Sequence, residues 1–303
     1  MKLSLVIMAA GLGSRYGGNK QVDGIGPHGE ILMEYSIYDA LRAGFGKVVL
    51  IIKPEMREMM ERLCGYLSRK TALDGGPVEV EYVYQDFSSI PSFYRIPEGR
   101  TRPFGTVHAL LCAEEAVTEP CCVINADDFY GLDAYQSMAR ELRRLPAEGC
   151  AAMVGYLLKN TASLHGTVTR GLCIQRDGFL DSVQETRNIQ LYPDGTLRDL
   201  GADRLLDPNA VVSMNFWGFT PSVFPLLRRD FEDFLRAAGD DPRAERLLPD
   251  MVDEQLRTGG LRVSVLSSGG QWFGMTYRED RDTVAQALAR LHETGAYPPS
   301  LRD

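Results

Sequence analysis

Two short segments of the sequence carry residues suited to phosphate chemistry, and the first is a glycine turn. The segment Ala9-Ala10-Gly11-Leu12-Gly13-Ser14-Arg15 follows the apolar run Leu3 to Met8 and precedes Lys20. Backbone N–H groups in such a turn can bind phosphate oxygens, while Arg15 and Lys20 can neutralise their charge. The turn lacks the Gly-Lys-Ser/Thr ending of a P-loop and the third glycine of a dinucleotide fingerprint. A turn that only leaves the strand is the alternative.

The second segment, Asn125-Ala126-Asp127-Asp128, directly follows the apolar run Cys121 to Ile124. It places a carboxylate at the carboxyl end of a predicted strand, where open α/β sheets bind their ligands. Magnesium typically takes one or two protein carboxylates and completes its shell with phosphate oxygens and water. We therefore predict Asp127 as a Mg²⁺ ligand; a solvated Asp-Asp turn is the alternative.

The elements that must position these segments alternate between strands and helices. Apolar or alternating runs predict strands at Leu3–Met8, Val48–Ile52, Val78–Tyr84 and Cys121–Asn125, and helical periodicity predicts helices at Glu30–Ala43, Pro54–Lys70 and Thr106–Ala116. Gly44 is placed to end the first helix. This alternation predicts an α/β fold, a Rossmann-like three-layer sandwich with a mixed, mainly parallel sheet.

The chain changes character after about residue 135, where short apolar runs are separated by Gly, Asp and Asn. That pattern predicts a strand-rich second lobe. Within it we expect a surface loop at Asp199–Asn209 and helices at Leu247–Arg257 and Asp282–Thr294. We predict one domain over residues 1–303, with lobes at 1–135 and 136–303.

Composition excludes several classes of protein. The 303 residues are 44% hydrophobic and 24% charged, with a net charge of -8 and both signs mixed along the chain. No basic footprint for a nucleic acid is present, and no apolar run approaches the ~20 residues that cross a bilayer. The six cysteines form no Cys-x-x-Cys pair, so we expect reduced thiols in a cytoplasmic protein.

The order of these segments resembles that of the sugar-1-phosphate nucleotidylyltransferases. The resemblance covers nearly the whole chain and rests on Leu5 to Arg15 with Lys20, Ile31-Leu32-Met33-Glu34-Tyr35-Ser36, Gln85, Gly105-Thr106-Val107-His108-Ala109, and Ala126-Asp127. It implies Mg²⁺-dependent attack of the acceptor's phosphate on the α-phosphorus of a nucleoside triphosphate, with pyrophosphate leaving. Because an acceptor phosphate is already ionised, no general base is nominated.

The resemblance also assigns roles to residues of the first lobe. It implies that the triphosphate is bound by Ala10, Gly11, Gly13, Arg15 and Lys20. Gln85, Gly105 and Thr106 would meet the base, whereas His108 is expected to be structural. The Gly-Thr pair before His-Ala is similar to that of uridylyltransferases acting on N-acetylhexosamine phosphates, which favours UTP.

In the second lobe, which the resemblance makes the sugar-phosphate-binding lobe, the implied acceptor contacts are Gly166, Glu185 and Asn215. Arg187 stands near the position where the family often has a lysine. For Glu185 and Asn215, polar strand ends without a ligand role are the alternative.

The chain departs from the family at the second metal carboxylate. The family's Trp-x-Asp element reads Trp272-Phe273-Gly274 here, so Asp280 is nominated as the substitute ligand. An acidic residue at the start of a helix is its alternative explanation. Asn19 also stands where the family usually has proline before the phosphate-binding lysine.

Two other functions stay open at this stage. One is a cytidylyltransferase acting on a non-sugar phosphate such as phosphocholine. The other is a catalytically silent regulatory protein that binds a nucleotide sugar, which the missing carboxylate at Gly274 motivates. A homo-oligomeric state is left open.

Overall fold

A computed structural model describes residues 1–11, 24–275 and 277–302. The predicted phosphate-binding residues Gly13, Arg15 and Lys20 lie outside the described residues. The helices are α1 Leu32–Ala43, α2 Arg57–Cys64, α3 Thr106–Cys112, α4 Leu132–Leu142, α5 Val223–Ala238, α6 Leu248–Thr258 and α7 Asp280–Glu293. The strands are β1 Ser4–Met8, β2 Lys47–Ile52, β3 Glu79–Tyr84, β4 Cys121–Asn125, β5 Asp128–Phe129, β6 Cys150–Leu157, β7 Val168–Arg176, β8 Phe179–Leu191, β9 Leu197–Asp199, β10 Arg204–Leu206, β11 Val211–Phe219, β12 Arg262–Ser267 and β13 Phe273–Gly274.

One large mixed sheet runs through both halves of the chain. Its order is β10-β9-β8-β12-β6-β11-β4-β1-β2-β3, with β7 pairing with β8 and β11, while β5 and β13 form a separate two-stranded sheet. The neighbours β4, β1, β2 and β3 are parallel, as are β6 and β12. β11 joins the halves by pairing antiparallel with both β4 and β6. The predicted mixed sheet is confirmed, and its parallel part lies chiefly in the first half.

Helices cover both faces of the sheet. Successive residues of β1 point to opposite faces: Leu5 and Ile7 join the core packed by α1, α2 and α4, and Val6 joins the core packed by α3, α5 and α6. A smaller core holds α7 against α1, through Leu288 and Tyr35. The predicted three-layer sandwich is confirmed.

Local signals explain several element boundaries. Gly44 ends α1 as predicted, with φ 95° and its N–H bonded to the Leu41 carbonyl. The expected loop at Asp199–Asn209 is wrong in part, because Asp199 ends β9 and β10 follows it in a short hairpin. The Asp199 carboxylate accepts the backbone N–H groups of Gly201 and Ala202, which fixes the turn.

Helix α5 is the largest element that the sequence predictions omit. Its buried residues Phe224, Leu227, Phe231 and Leu235 recur at helical spacing, so the pattern was present in the sequence. Across the described residues, the helices are too short or too polar to span a lipid bilayer.

Candidate functional site

The carboxyl ends of four adjacent parallel strands form one wall of a cleft of about 660 Å³. In sheet order, β4 contributes Asn125 and, just beyond it, Asp127; β1 leads to Gly11; β2 leads to Lys53; and β3 leads to Gln85. This volume lies within the range of small-molecule sites. The cleft contains the predicted nucleotide-binding residues that the structure describes together with the predicted metal ligand: Ala10, Gly11, Gln85, Gly105, Thr106 and Asp127.

The Gln85 end of the cleft is built by a close backbone approach. Gln85 is buried and donates from Nε2 to the Gly105 carbonyl oxygen at 3.2 Å. Gly105 has φ 94°, and a Cβ there would overlap the Arg246 carbonyl, so the position requires glycine. Thr106 Oγ1 accepts the Leu248 N–H at 2.8 Å. The Gly-Thr pair is therefore locked against the segment that begins α6.

A buried arginine joins two loops at the rim of the cleft. Arg100 donates to the carbonyl oxygens of Pro103 at 2.9 Å and Ala244 at 2.7 Å, and its guanidinium lies 3.6 Å from the centre of the Phe104 ring. These contacts bring Arg102 and Glu245 to the same wall. Neither residue is predicted from the sequence, because no motif marks a loop that packs against another loop.

Lys53 and Asn125 are two further cleft residues that sequence reasoning missed. Lys53 is half-buried directly after β2, and Asn125 is the last residue of β4. The signal that could have found both is position, because each lies at the carboxyl end of a predicted parallel strand.

His108 faces away from this chemistry. Its Nδ1 accepts the Phe104 N–H at 3.4 Å, which leaves Nε2 to donate to Ser89 Oγ at 2.9 Å. Burial lowers the pKa of His108 to about 4, so the imidazole is neutral near pH 7. The ring also stacks on Phe231. These contacts agree with the structural role expected of it.

The two adjacent aspartates have different surroundings. Asp127 is partly exposed in the cleft, whereas Asp128 is buried. Asp128 Oδ2 accepts Asn125 Nδ2 at 2.8 Å and lies 3.1 Å from the Tyr130 hydroxyl. Desolvation first, and then the charge of Asp127, raises the pKa of Asp128 to about 7.

A bulge in β11 places Asn215 next to Asn125 of the cleft. The pairing of β11 with β6 is irregular between Ser213 and Trp217, and Asn215 within it has φ 58°. Asn215 Oδ1 accepts Trp217 Nε1 at 3.3 Å, and Asn215 Nδ2 lies 3.5 Å from Asn125 Oδ1. The structure thus places this predicted acceptor residue beside the cleft.

The other predicted acceptor residues lie on β8 and on the segment before β7. Glu185 is partly buried beside Gly171, and its pKa is raised by desolvation and by the charge of Asp250. Arg187 is exposed. Its positive charge lowers the pKa of both Glu185 and Asp250, against the effect of burial. Gly166 packs against the Tyr277 ring, which a Cβ would overlap.

Asp280 is not brought to the cleft. Its Oδ1 accepts Ser163 Oγ at 2.8 Å and its Oδ2 accepts the Tyr277 N–H at 2.9 Å, at the start of α7. It lines a second cavity, of about 400 Å³, with Trp272 and Gly274. This arrangement agrees with the alternative explanation, an acidic residue at the start of a helix.

The carboxylate that the sequence predicts as a magnesium ligand lies in the cleft. Asp127 is the carboxylate nominated there, and Mg²⁺ is commonly held by one or two carboxylates plus phosphates and water. Within the described ranges, no group of three or more His, Cys, Asp or Glu side chains is arranged to hold a metal ion.

Sequence comparison defines the class of protein. The sequence model of the nucleotidyl transferase family matches residues 5–187, which include the glycine turn, Glu185 and the cleft residues named above other than Glu245. The chain therefore belongs to the nucleotidyl transferase family, and transfer of a nucleotidyl group is the class of reaction assigned to it. No curated protein sequence matches the chain.

Solved structures share the fold at low sequence identity. The inositol-1-phosphate CTP transferase from T. maritima has 14% identity and a TM-score of 0.61, covering 96% of both chains. A putative glucose-1-phosphate thymidylyltransferase from Bacillus anthracis, in complex with a sucrose, has 16% identity and a TM-score of 0.61, covering 95% of both. A UDP-glucose pyrophosphorylase complexed with UDP-glucose has 16% identity and a TM-score of 0.59, covering 96% of this chain and 99% of its own.

Proposed function

We propose that this protein transfers a nucleoside monophosphate from a nucleoside triphosphate to a sugar 1-phosphate, with UTP as the favoured donor. An oxygen of the acceptor phosphate attacks the α-phosphorus, a new P–O bond forms, and the bond to the β-phosphate breaks to release pyrophosphate. The observation that carries this proposal is the single cleft shared by Gly11, Gln85 and Asp127.

The order of the strand ends suggests how the nucleotide lies. Gln85 follows the outermost of the four strands and Asp127 the innermost, so three steps of about 4.8 Å separate their strands. That span is comparable with the length of a nucleotide from base to phosphates. The base would lie near Gln85, and the phosphates would cross Lys53 and Gly11 toward Asp127.

Charge neutralisation would supply most of the rate enhancement. Asp127 would hold Mg²⁺ together with the phosphates, and the ion would neutralise charge on the attacking and leaving oxygens. The Gly11 region would donate backbone N–H groups, and Lys53 would add a cation. Arg15 and Lys20 keep their proposed phosphate contacts but lie outside the described residues.

The acceptor would be bound by hydrogen bonds from the second lobe. Asn215 contacts Asn125, which lines the cleft. Glu185 has a partly buried carboxylate that could accept hydrogen bonds from sugar hydroxyls. Arg187 and Gly166 complete the proposed acceptor residues. We propose the sugar at this end because the base is proposed at the opposite end, near Gln85.

The base preference rests on the Gly105-Thr106 resemblance and needs a direct test. The names of the solved relatives include CTP, thymidylyl and UDP-glucose, so this fold is associated with several nucleotides. We would measure pyrophosphate release from UTP, CTP, dTTP, GTP and ATP, each paired with a panel of sugar 1-phosphates and with phosphocholine.

The same set of triphosphate and acceptor pairs distinguishes the proposed function from its two alternatives. Release with UTP and a sugar 1-phosphate supports the proposal, whereas release confined to CTP with phosphocholine supports a cytidylyltransferase. No release from any pair, combined with tight binding of a nucleotide sugar by calorimetry, would identify a silent binder. Asp127→Asn serves as the background control for every active pair.

A further inference from the structure

Asn125 occupies the boundary between the cleft and the second lobe, with its amide orientation fixed from both sides. Its Nδ2 donates to Asp128 Oδ2 at 2.8 Å, and its Oδ1 lies 3.5 Å from Asn215 Nδ2. An amide nitrogen carries two hydrogens, and Asp128 takes one. Within the described part of the chain, no second acceptor is found for this nitrogen, while Asn125 lines the cleft.

The carboxylate that orients this amide is itself held rigidly. Asp128 is buried, and the Tyr130 hydroxyl lies 3.1 Å from its Oδ2 and 2.9 Å from the Met214 carbonyl oxygen. The Asn125 N–H donates back to the Tyr130 hydroxyl at 3.2 Å. A buried carboxylate is tolerated when it is hydrogen-bonded, and in a low dielectric it strengthens the donors that it polarises.

Gly274 leaves the space that this carboxylate occupies. Gly274 pairs with Asp128 across β13 and β5. A Cβ at position 274 would overlap the Trp272 ring and would lie 2.9 Å from Asp128 Oδ1. The absence of a side chain at position 274 therefore allows the Asp128 side chain to remain beside Asn125.

We propose that the second amide hydrogen of Asn125 donates to a phosphate oxygen at the reacting centre, and that Asp128 is a positioning residue for this donor. This inference rests on the proposed function, because the reacting phosphate must lie between Asp127 and the acceptor lobe. Asn125 is two residues before Asp127 and contacts Asn215 on β11. It therefore lies between the proposed metal ligand and a proposed acceptor residue. A preorganised donor at such a point stabilises charge that develops during transfer.

The test compares Asn125→Ala and Asp128→Asn with a matched control, Asp39→Asn. Asp39 is also a buried carboxyl bonded to a tyrosine hydroxyl, that of Tyr297 at 2.7 Å, but it lies on α1. We expect Asn125→Ala to lower kcat by ~10²-fold and to weaken triphosphate binding by several-fold, as loss of one preorganised donor does. Asp128→Asn should lower kcat by about 10-fold with little change in KM, because the Asn125 amide is still present but loses its carboxylate acceptor.

Thermal melting separates these effects from misfolding. The proposal is overturned if Asn125→Ala keeps wild-type kcat and wild-type triphosphate affinity, whatever the Tm of the variant. Asn125 would then serve only to connect β4 with β11. An equal kcat loss in Asp39→Asn would also overturn it, since the loss would then be general to buried carboxyls. If wild-type protein releases no pyrophosphate, the proposed function fails, and the contact is still decided by calorimetry: unchanged triphosphate affinity in Asn125→Ala refutes it.

Discussion

The two ends of the candidate site are constructed by different rules. At the proposed nucleotide end, β4, β1, β2 and β3 are parallel, and their carboxyl ends meet at one edge of the sheet. At the proposed acceptor end, Glu185 lies within a long antiparallel strand and Asn215 within a bulge of another. Parallel strands bring their ends together whatever loops follow them, whereas an antiparallel strand places a residue according to register. Motifs at strand ends are therefore easier to locate than residues inside hairpins.

The largest effect is expected from a substitution at the carboxyl ends of the parallel strands. We expect Asp127→Asn to lower turnover by ~10³-fold or more, because it removes the protein carboxylate that would hold Mg²⁺ beside the phosphates. Nucleotide affinity should fall far less, since backbone N–H groups and cations still bind the triphosphate. Pyrophosphate release across a magnesium titration, with calorimetry of nucleotide binding, measures both quantities.

Asp280→Asn is the matched control, because this carboxylate lies in the second cavity with both oxygens bonded. We expect near wild-type turnover and a small loss of thermal stability. A loss of turnover in Asp280→Asn but not in Asp127→Asn would instead make Asp280 the principal metal ligand. The metal would then not lie at the carboxyl ends of the parallel strands.

The acceptor end should respond in KM for the acceptor rather than for the nucleotide. We expect Glu185→Gln and Asn215→Ala each to raise the acceptor KM by ~10-fold, because each loses a hydrogen bond to a sugar hydroxyl. The nucleotide KM should stay within about twofold, which initial-rate measurements with each substrate varied in turn would show. A rise in the nucleotide KM instead would show that the two ends are not separate sites.

Lys53→Gln should produce a smaller change at the nucleotide end. The neutral side chain keeps most of the volume but removes one cation from the path assigned to the phosphates. We expect the nucleotide KM to rise by about 5- to 10-fold at low salt and by less at high salt, because salt screens an exposed charge. An unchanged KM at all salt concentrations would remove Lys53 from the phosphate path.

The sequence was sufficient where a residue's location follows from strand order. The position of Asp127 after an apolar run placed it at the same edge as Gly11, and the structure puts both in one cleft. The sequence was not sufficient for Asn215, whose place depends on a φ of 58° inside a bulge. Asp280 shows the same limit, since proximity along the chain to Gly274 did not place it near Asp127.

The roles of Lys53 and Asn125 were also missed, although both follow from topology. Each is an ordinary residue at a strand end, without a recognisable motif, so only the assembled edge makes it notable. Arg102 and Glu245 are harder still, because two loops must first be joined by Arg100. Contacts between distant loops leave no periodic pattern in a sequence.

The smallest expected effect concerns a region outside both ends of the site. Asp39 on α1 is buried, with Oδ2 bonded to Tyr297 and Oδ1 unpartnered among the described residues. Burial raises the pKa of Asp39 to about 7. The hydrogen bond from Tyr297 and the charge of Arg42 lower it, but by less. In the unfolded chain the same carboxyl has a pKa of about 3.9, so folding favours its neutral form.

The sign of the pH dependence follows from this difference. A carboxyl whose folded pKa is raised contributes its full stability below about pH 4, and that contribution is lost as the pH rises toward 7. Asn cannot ionise and keeps an oxygen that can accept from Tyr297, so Asp39→Asn avoids the loss. We expect the free energy of unfolding of Asp39→Asn to exceed that of the wild type by a margin that grows between about pH 4 and pH 7, levels off above pH 7, and is at most on the order of a few kcal/mol. Thermal melting of both proteins across that pH range measures the margin. Groups common to both proteins, including Asp128, cancel in this difference. A margin that is constant across that pH range would show that Asp39 does not titrate there, and unchanged pyrophosphate release by the variant would keep the effect separate from both ends of the site.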